Sequence, residues 1–297
     1  MNTKKITTLL FSQNKATFII QTVIPFIIPF IFEIPSVLLS IWIKIPIFIL
    51  LTYIDLKLIF LIEQQNNNEA KQSIYNQAAR YAYSNAYELN ERKRDYLMKS
   101  SYKKDFSVSK NVFPYDIHEY ISEICKSFKN VVSQITKIDK EHISISFIYR
   151  YRYTEANNED LNWRWITGKE LTMKMKLNDF VKLENSVYYF LINGANTVVF
   201  CNDKVELEKE NHYYMSIKDN RHNNIGSIFS IKVMFSNNEQ SFAEGILTIS
   251  TYGERFVKNN NIQKINQLRC LLIDDLFPYY QRLLETELGM LYLKHIS

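Results

Sequence analysis

GSIFSIKVMFSNNEQSFAEGILTISTYG, from Gly226 to Gly253, is the stretch that decides the fold. It predicts two strands around the turn Ser236-Asn237-Asn238-Glu239, the strongest hairpin signal in the chain. Upstream, ISISFIYRYRY from Ile143 to Tyr153 alternates strictly enough to be a strand, and Trp163 to Ile166 reads as its short partner. Thr197 to Cys201 is a short apolar strand. Helical periodicity surrounds these strands. From Pro114 to Ile138, Ile117, Ile121, Ile124, Phe128, Val131, Val132 and Ile135 line one face. Leu177 to Phe190 reads as a single helix stopped by Asn193-Gly194, and Asn261 to Ile296 as a long helix bent at Pro278. Helix, two strands, helix, short strand, irregular segment, hairpin and long helix make an α+β class.

The N-terminal block is of another kind. Between Ala16 and Ile62 the charged residues are Glu33, Lys44, Asp55 and Lys57. Buried soluble helices rarely carry more than about 14 apolar residues in a row, whereas a membrane span needs about 20. The block is long enough for two spans. A cleaved signal peptide does not fit, because the apolar stretch is too long, no small-residue cleavage site follows it, and more apolar sequence comes after. A transmembrane helical hairpin over 1–62 is therefore expected, with spans near 16–32 and 37–57 and a turn at Glu33-Ile34-Pro35-Ser36. Pro25 and Pro29 would kink the first span. A competing register puts the turn at Lys44-Ile45-Pro46. Lys4, Lys5 and Lys15 place the N-terminus in the cytoplasm by the positive-inside bias, and a hairpin returns the C-terminal domain to the same side of the cell membrane.

Glu33, Lys44 and Asp55 recur every eleven residues, which brings them to nearly one azimuth of a helix. Two readings stand: a polar stripe that meets its copies in a homo-oligomer, or charges that snorkel to the two interfaces. After the block, residues 63–104 form a connecting helix whose narrow stripe is Tyr75, Ala79, Ala82, Ala86, Leu89 and Tyr96. Such a stripe suits pairing between copies, and it equally suits a helix lying on its own C-terminal domain.

Composition excludes several functions. Net charge is +5 over 297 residues and is spread along the chain, so no basic stripe marks a nucleic-acid reader. With six glycines there is no Gly-rich phosphate loop. The three cysteines are far apart and suit neither a disulfide framework nor a zinc site. His212 and His222 flank Asp219 without a recognisable third ligand, and no nucleophile-elbow sequence occurs. Neither catalysis, a metal nor a cofactor is expected.

The element order, together with GSIFSIKVMF and FAEGILTISTYGERF before the final helix, resembles GAF/PAS-like sensor domains over residues 105–297. That resemblance implies an antiparallel sheet with its first and last helices on one face, and a ligand enclosed by the other face and its loops. On the first strand the polar side carries Ser144, Ser146, Ile148 and Arg150. Arg150, Trp165, Asp219, Asn220, Arg221 and Lys232 are the residues expected to converge on the ligand, three of them from the loop NHYYMSIKDNRHNNIG. Arginine suits phosphate or carboxylate, and Trp suits a flat ring. A membrane hairpin joined to a small-molecule or nucleotide sensor is similar in layout to membrane-hairpin effectors of bacterial antiviral signalling. The alternative is a membrane-tethered scaffold that dimerises or binds a protein through exposed aromatics such as Tyr213, Tyr214 and Tyr252.

Overall fold

The computed structural model describes Glu33, Pro35 and residues 41–101, 115–153, 156–168, 175–237 and 239–296. The expected first span, with Pro25 and Pro29, lies outside these residues, as does Pro114. The chain divides into two compact units, Met1–Asn76 and Gln77–Ser297.

In the first unit the described structure is the beginning of helix α1 (Ile41–Ser101). The helix runs unbroken through Pro46, which overturns the register with a turn at Lys44-Ile45-Pro46. Large apolar side chains are exposed over a broad face of the helix, Trp42, Ile43, Ile49, Leu50, Tyr53, Leu56 and Phe60 among them. Lys44 is turned the other way and is only 6% exposed. The Asp55 side chain lies outside the described residues. Among the described residues no helix is long and apolar enough to cross a membrane.

The second unit is α+β, with five antiparallel strands flanked by helices. Its elements after α1 are α2 (Ile117–Thr136), β1 (Ile143–Tyr151), β2 (Arg164–Thr167), α3 (Leu177–Phe180), α4 (Val187–Asn193), β3 (Val198–Cys201), α5 (Lys204–Lys209), α6 (Ile217–Arg221), β4 (Ile228–Ser236), β5 (Ser241–Thr251), α7 (Ile262–Cys270) and α8 (Phe277–Ile296). The strands lie in the order β2-β1-β5-β4-β3. Local chemistry explains most boundaries. Asp116 caps α2 by accepting from the His118 and Glu119 amides. Leu177 to Phe190 is not one helix: the chain leaves α3 at Val181, turns, and restarts where Ser186 accepts from the Tyr189 amide. Gly194 ends α4 in extended backbone, its amide donating to the Phe190 carbonyl at 2.9 Å. The expected bend at Pro278 is resolved as a π-helical turn, Leu271–Leu276, between α7 and α8. A proline ring crowds the carbonyl four residues back, and the wider turn gives it room.

Helices α2 and α8 pack on one face of the sheet. The contact is aromatic: the Phe128 ring lies 4.9 Å from Tyr280, 5.5 Å from Phe277 and 6.1 Å from Phe229. The Gln77–Ser101 part of α1 lies on the same unit rather than standing free. Ala78, Ala82, Ala86 and Leu89 are buried, the Tyr120 hydroxyl donates to the Leu89 carbonyl at 2.8 Å, and Lys93 pairs with the buried Glu287. Tyr96, expected in the stripe, is exposed. Phe128→Ala opens a cavity at the centre of this layer and is predicted to cost about 3–5 kcal/mol, read as a lowered denaturant midpoint.

Candidate functional site

The other face of the sheet is built from small hydroxyls at one end and charges at the other. The pleat places Ser144, Ser250 and Ile228 side by side in register, then Ser146, Thr248 and Ser230, then Ile148, Ile246 and Lys232, then Arg150, Glu244 and Met234. Serine and threonine leave space above the sheet that larger residues would fill. The segments 175–193 and 213–220 close over that space, leaving a cavity of about 350 Å³. Ser144, Ser146, Thr248 and Ser250 form its floor. Trp165, Phe180, Tyr188 and Tyr214 contribute aromatic wall, and Met175 and Met215 thioethers. Gly168 lies at the end of β2 with φ +80, where a Cβ would come within 2.4 Å of the Ile145 carbonyl oxygen.

Two of the four floor hydroxyls, Thr248 and Ser146, are tied to protein neighbours. Ser230 and Thr248 share a 2.7 Å hydrogen bond, and Ser146 lies 3.2 Å from the Tyr188 hydroxyl. Ser250 is 7% exposed, lines the cavity and sets its hydroxyl beside that of Tyr213. The Tyr213 hydroxyl donates to Asp219 Oδ2 at 3.0 Å, which leaves its oxygen to accept from Ser250.

What holds the cover down is a buried ion pair. Lys204 at the start of α5 and Asp219 in α6 have no exposed side-chain surface, and Lys204 Nζ donates to Asp219 Oδ1 at 2.6 Å and to the Thr251 carbonyl at 2.8 Å. The other carboxylate oxygen accepts from Tyr213 and from the Ser216 amide and hydroxyl. Burial opposes ionisation of Asp219, but the Lys204 ammonium and the Ser216 donors outweigh it and hold the carboxyl below its ordinary range. Burial, then Asp219, pushes the Tyr213 phenol well above its usual value, so it remains a donor. Lys204 and Lys218 also place their ammonium groups 3.9 and 4.1 Å from the centre of the Tyr252 ring.

Of the residues expected to meet a ligand, Trp165 and Asn220 line the cavity. Asp219 lies behind it as the anchor of the cover, and Arg221 is exposed and outside the lining. Arg150 and Lys232 do not reach it. They join Arg152 around Glu244, a carboxylate with no exposed surface, with Lys232 Nζ at 3.1 Å and the Arg150 guanidinium 4.7 Å from the Trp163 ring centre. Burial resists ionisation of Glu244, but Arg150 and then Lys232 draw its carboxyl below the usual range. Tyr213 and Tyr252, expected as exposed contact aromatics, are buried, whereas Tyr214 is exposed. The floor serines of β1 were foreshadowed by its alternation, and the same period in β5 marks Thr248 and Ser250. Lys218 and Tyr188 had no signal in the sequence.

Lys218 is the one ionic side chain among the described lining residues, which include no carboxylate, imidazole or thiol. Such a lining can bind and orient a molecule but offers no acid–base pair of the usual kind. Among the described residues no three His, Cys, Asp or Glu side chains group to hold a metal, and the three cysteines are free. No family model matches the chain, and neither a curated protein nor a solved structure is significantly similar to it.

Asp219→Asn leaves the Lys204 ammonium buried without its counter-charge and is predicted to destabilise by about 3–5 kcal/mol, more than the double change Lys204→Met with Asp219→Asn. Because the Asp219 carboxyl is depressed, its contribution is complete above the unfolded value of about 4 and is lost as pH falls through the folded value. Denaturant titrations between pH 7 and 3 should therefore show a steeper acid loss in the wild type than in Asp219→Asn.

Proposed function

We propose that the chain is a membrane-anchored, non-enzymatic sensor. Its C-terminal unit takes a small molecule into the cavity on the hydroxyl face of the sheet. The N-terminal apolar segment lies in the bilayer and carries the output, by oligomerising and perturbing the membrane as in antiviral effectors of similar layout. The observation that carries the sensor role is the 350 Å³ space above a floor of serine and threonine hydroxyls, walled by aromatic rings. Small-molecule pockets typically occupy about 300–1,000 Å³ and combine apolar walls with a few placed polar groups.

The anchor rests on two supports. One is the apolar sequence from Ala16 to Ile62, interrupted by four charges. The other is the outward-facing apolar surface between Trp42 and Phe60, a pattern that water does not favour. The cytoplasmic placement of the second unit follows from the basic residues before the block.

A scaffold role has one specific support. On the outer side of the second unit Tyr83, Tyr87 and Tyr279 are exposed and touch one another, with Tyr83 6.5 Å from Tyr87 and 6.1 Å from Tyr279 between ring centres. Exposed clustered tyrosines are characteristic of protein contacts.

Full-length protein expressed in a bacterium and lysed without detergent is expected in the membrane pellet. Native mass spectrometry of the purified chain should show a bound small molecule that Ser146→Phe, which fills the cavity, removes while the fold persists. Protein left in the supernatant would overturn the anchor. An empty wild type, together with recovery of a stoichiometric protein partner lost on Tyr83→Ala, would replace the sensor with the scaffold.

A further inference from the structure

The hydroxyls on the cavity floor are polarised by what lies beneath and beside them. Lys204 holds Asp219 as a carboxylate, and a carboxylate accepts without donating. Tyr213 therefore gives its proton to Asp219 Oδ2, 3.0 Å away, and toward its other neighbour it has only lone pairs left. That neighbour is Ser250, which lines the cavity. With its own proton turned to Tyr213, Ser250 shows the cavity an oxygen that accepts.

A second chain polarises Thr248 in the same sense. Ser230 has no exposed surface and lies 2.7 Å from the Thr248 hydroxyl and 3.3 Å from the Leu247 carbonyl. A serine has one proton to give, and a carbonyl has none. Both contacts are hydrogen bonds only if Thr248 donates to Ser230 and Ser230 to Leu247, so the Thr248 proton also points away from the cavity. Thr248 and Ser250 are two residues apart on β5, which sets their oxygens about 7 Å from one another, close to the length of a fused pair of rings.

The walls supply the faces. Phe180 lies 5.6 Å from Tyr188 and 5.9 Å from Tyr214, centre to centre, and Trp165 and the thioethers of Met175 and Met215 line the same space. Flat faces and polarizable sulfur favour a flat guest. Accepting oxygens repel an anion, and no described lining residue is a carboxylate that would balance a cation.

We infer that the ligand of this cavity is an uncharged flat ring with N–H or O–H donors on its edge, resting those donors on the Ser250 and Thr248 oxygens. This deepens the sensor role proposed above and rests on it. Ser250 is then a specificity-determining residue, and Tyr213 a positioning residue that acts through Ser250.

Titration calorimetry on the full chain in nanodiscs, with empty nanodiscs as the blank, tests it with two matched pairs: indole against benzofuran, and adenine against adenine with every N–H methylated. At least one donor-bearing probe should bind about ten-fold or more tightly than its donor-free counterpart, and indole-3-acetate should bind no better than indole. Ser250→Ala should cut that preference to about three-fold or less. Tyr213→Phe has a readout that a merely structural residue would not move. Without the phenol oxygen the Ser250 proton turns to the cavity, and the donor-free probe should gain about three-fold or more while circular dichroism shows the fold intact. Equal binding within both pairs, tighter binding of the anion, a preference unchanged in Ser250→Ala, no gain in Tyr213→Phe, or no binding of any probe overturns the inference. The sensor role fails by a different result, an empty cavity in native mass spectrometry. A co-purifying molecule that is charged or lacks donors would leave that role standing and remove this one.

Discussion

A lysine and an aspartate with no solvent contact, Lys204 and Asp219, hold the cover over the hydroxyl face of the second unit. Each lies in a helix of six residues or fewer, too short to be stable alone. The pair joins these helices to each other, and the Thr251 carbonyl joins Lys204 to the end of β5. Tyr213 and Ser216 converge on the same carboxylate, so the stretch from Tyr213 to Asp219 is fixed at several points. Gly226 completes the arrangement, since a Cβ there would come within 2.2 Å of the Thr251 carbonyl oxygen and 3.2 Å of the Lys204 side chain. A buried ion pair is rarely the most stabilising choice for a core. Its use here is positional: it sets one location for the cover, and without the cover the hydroxyl face would be an ordinary wet strand surface.

The two faces of the sheet divide the work. One is filled by aromatic rings from α2, β4 and α8 and supplies stability through tight packing. The other is deliberately underfilled at its Ser144–Ser250 end and sealed at its Arg150–Glu244 end. There Arg150, Arg152 and Lys232 surround a single buried carboxylate, and Arg150 stacks on Trp163. Ile148 and Ile246, in the row that Lys232 of the cluster completes, lie between the Glu244 carboxylate and the hydroxyl floor. Charge and cavity therefore occupy one face without meeting.

Sequence periodicity carried the reading wherever one element could bury its own stripe. The strand at Ile143, the hairpin from Gly226 to Gly253 and the helix through Phe128 were legible for that reason, and with them the polar side of β1. Elements fixed by distant partners were not. The break between α3 and α4 depends on the Ser186 cap within a stretch that is otherwise apolar enough for one helix, and α5 and α6, each capped locally, are joined to each other by Lys204 and Asp219. Arg150 and Lys232 have the right chemistry for an anion. Only the pairing of Arg150 with Glu244 across β1 and β5 shows that their anion is internal. Lys218 was hidden because the ring it lies against, Tyr252, is distant in sequence and adjacent in space.

Amide hydrogen exchange in the full chain, comparing wild type with Asp219→Asn under conditions where both remain folded, tests the central dependence most directly. Exchange of the Tyr213–Arg221 amides is expected to accelerate at least ten-fold in the variant, while β4 and β5 keep their protection. Unchanged protection across Tyr213–Arg221, or acceleration spread evenly through the sheet, would contradict the account.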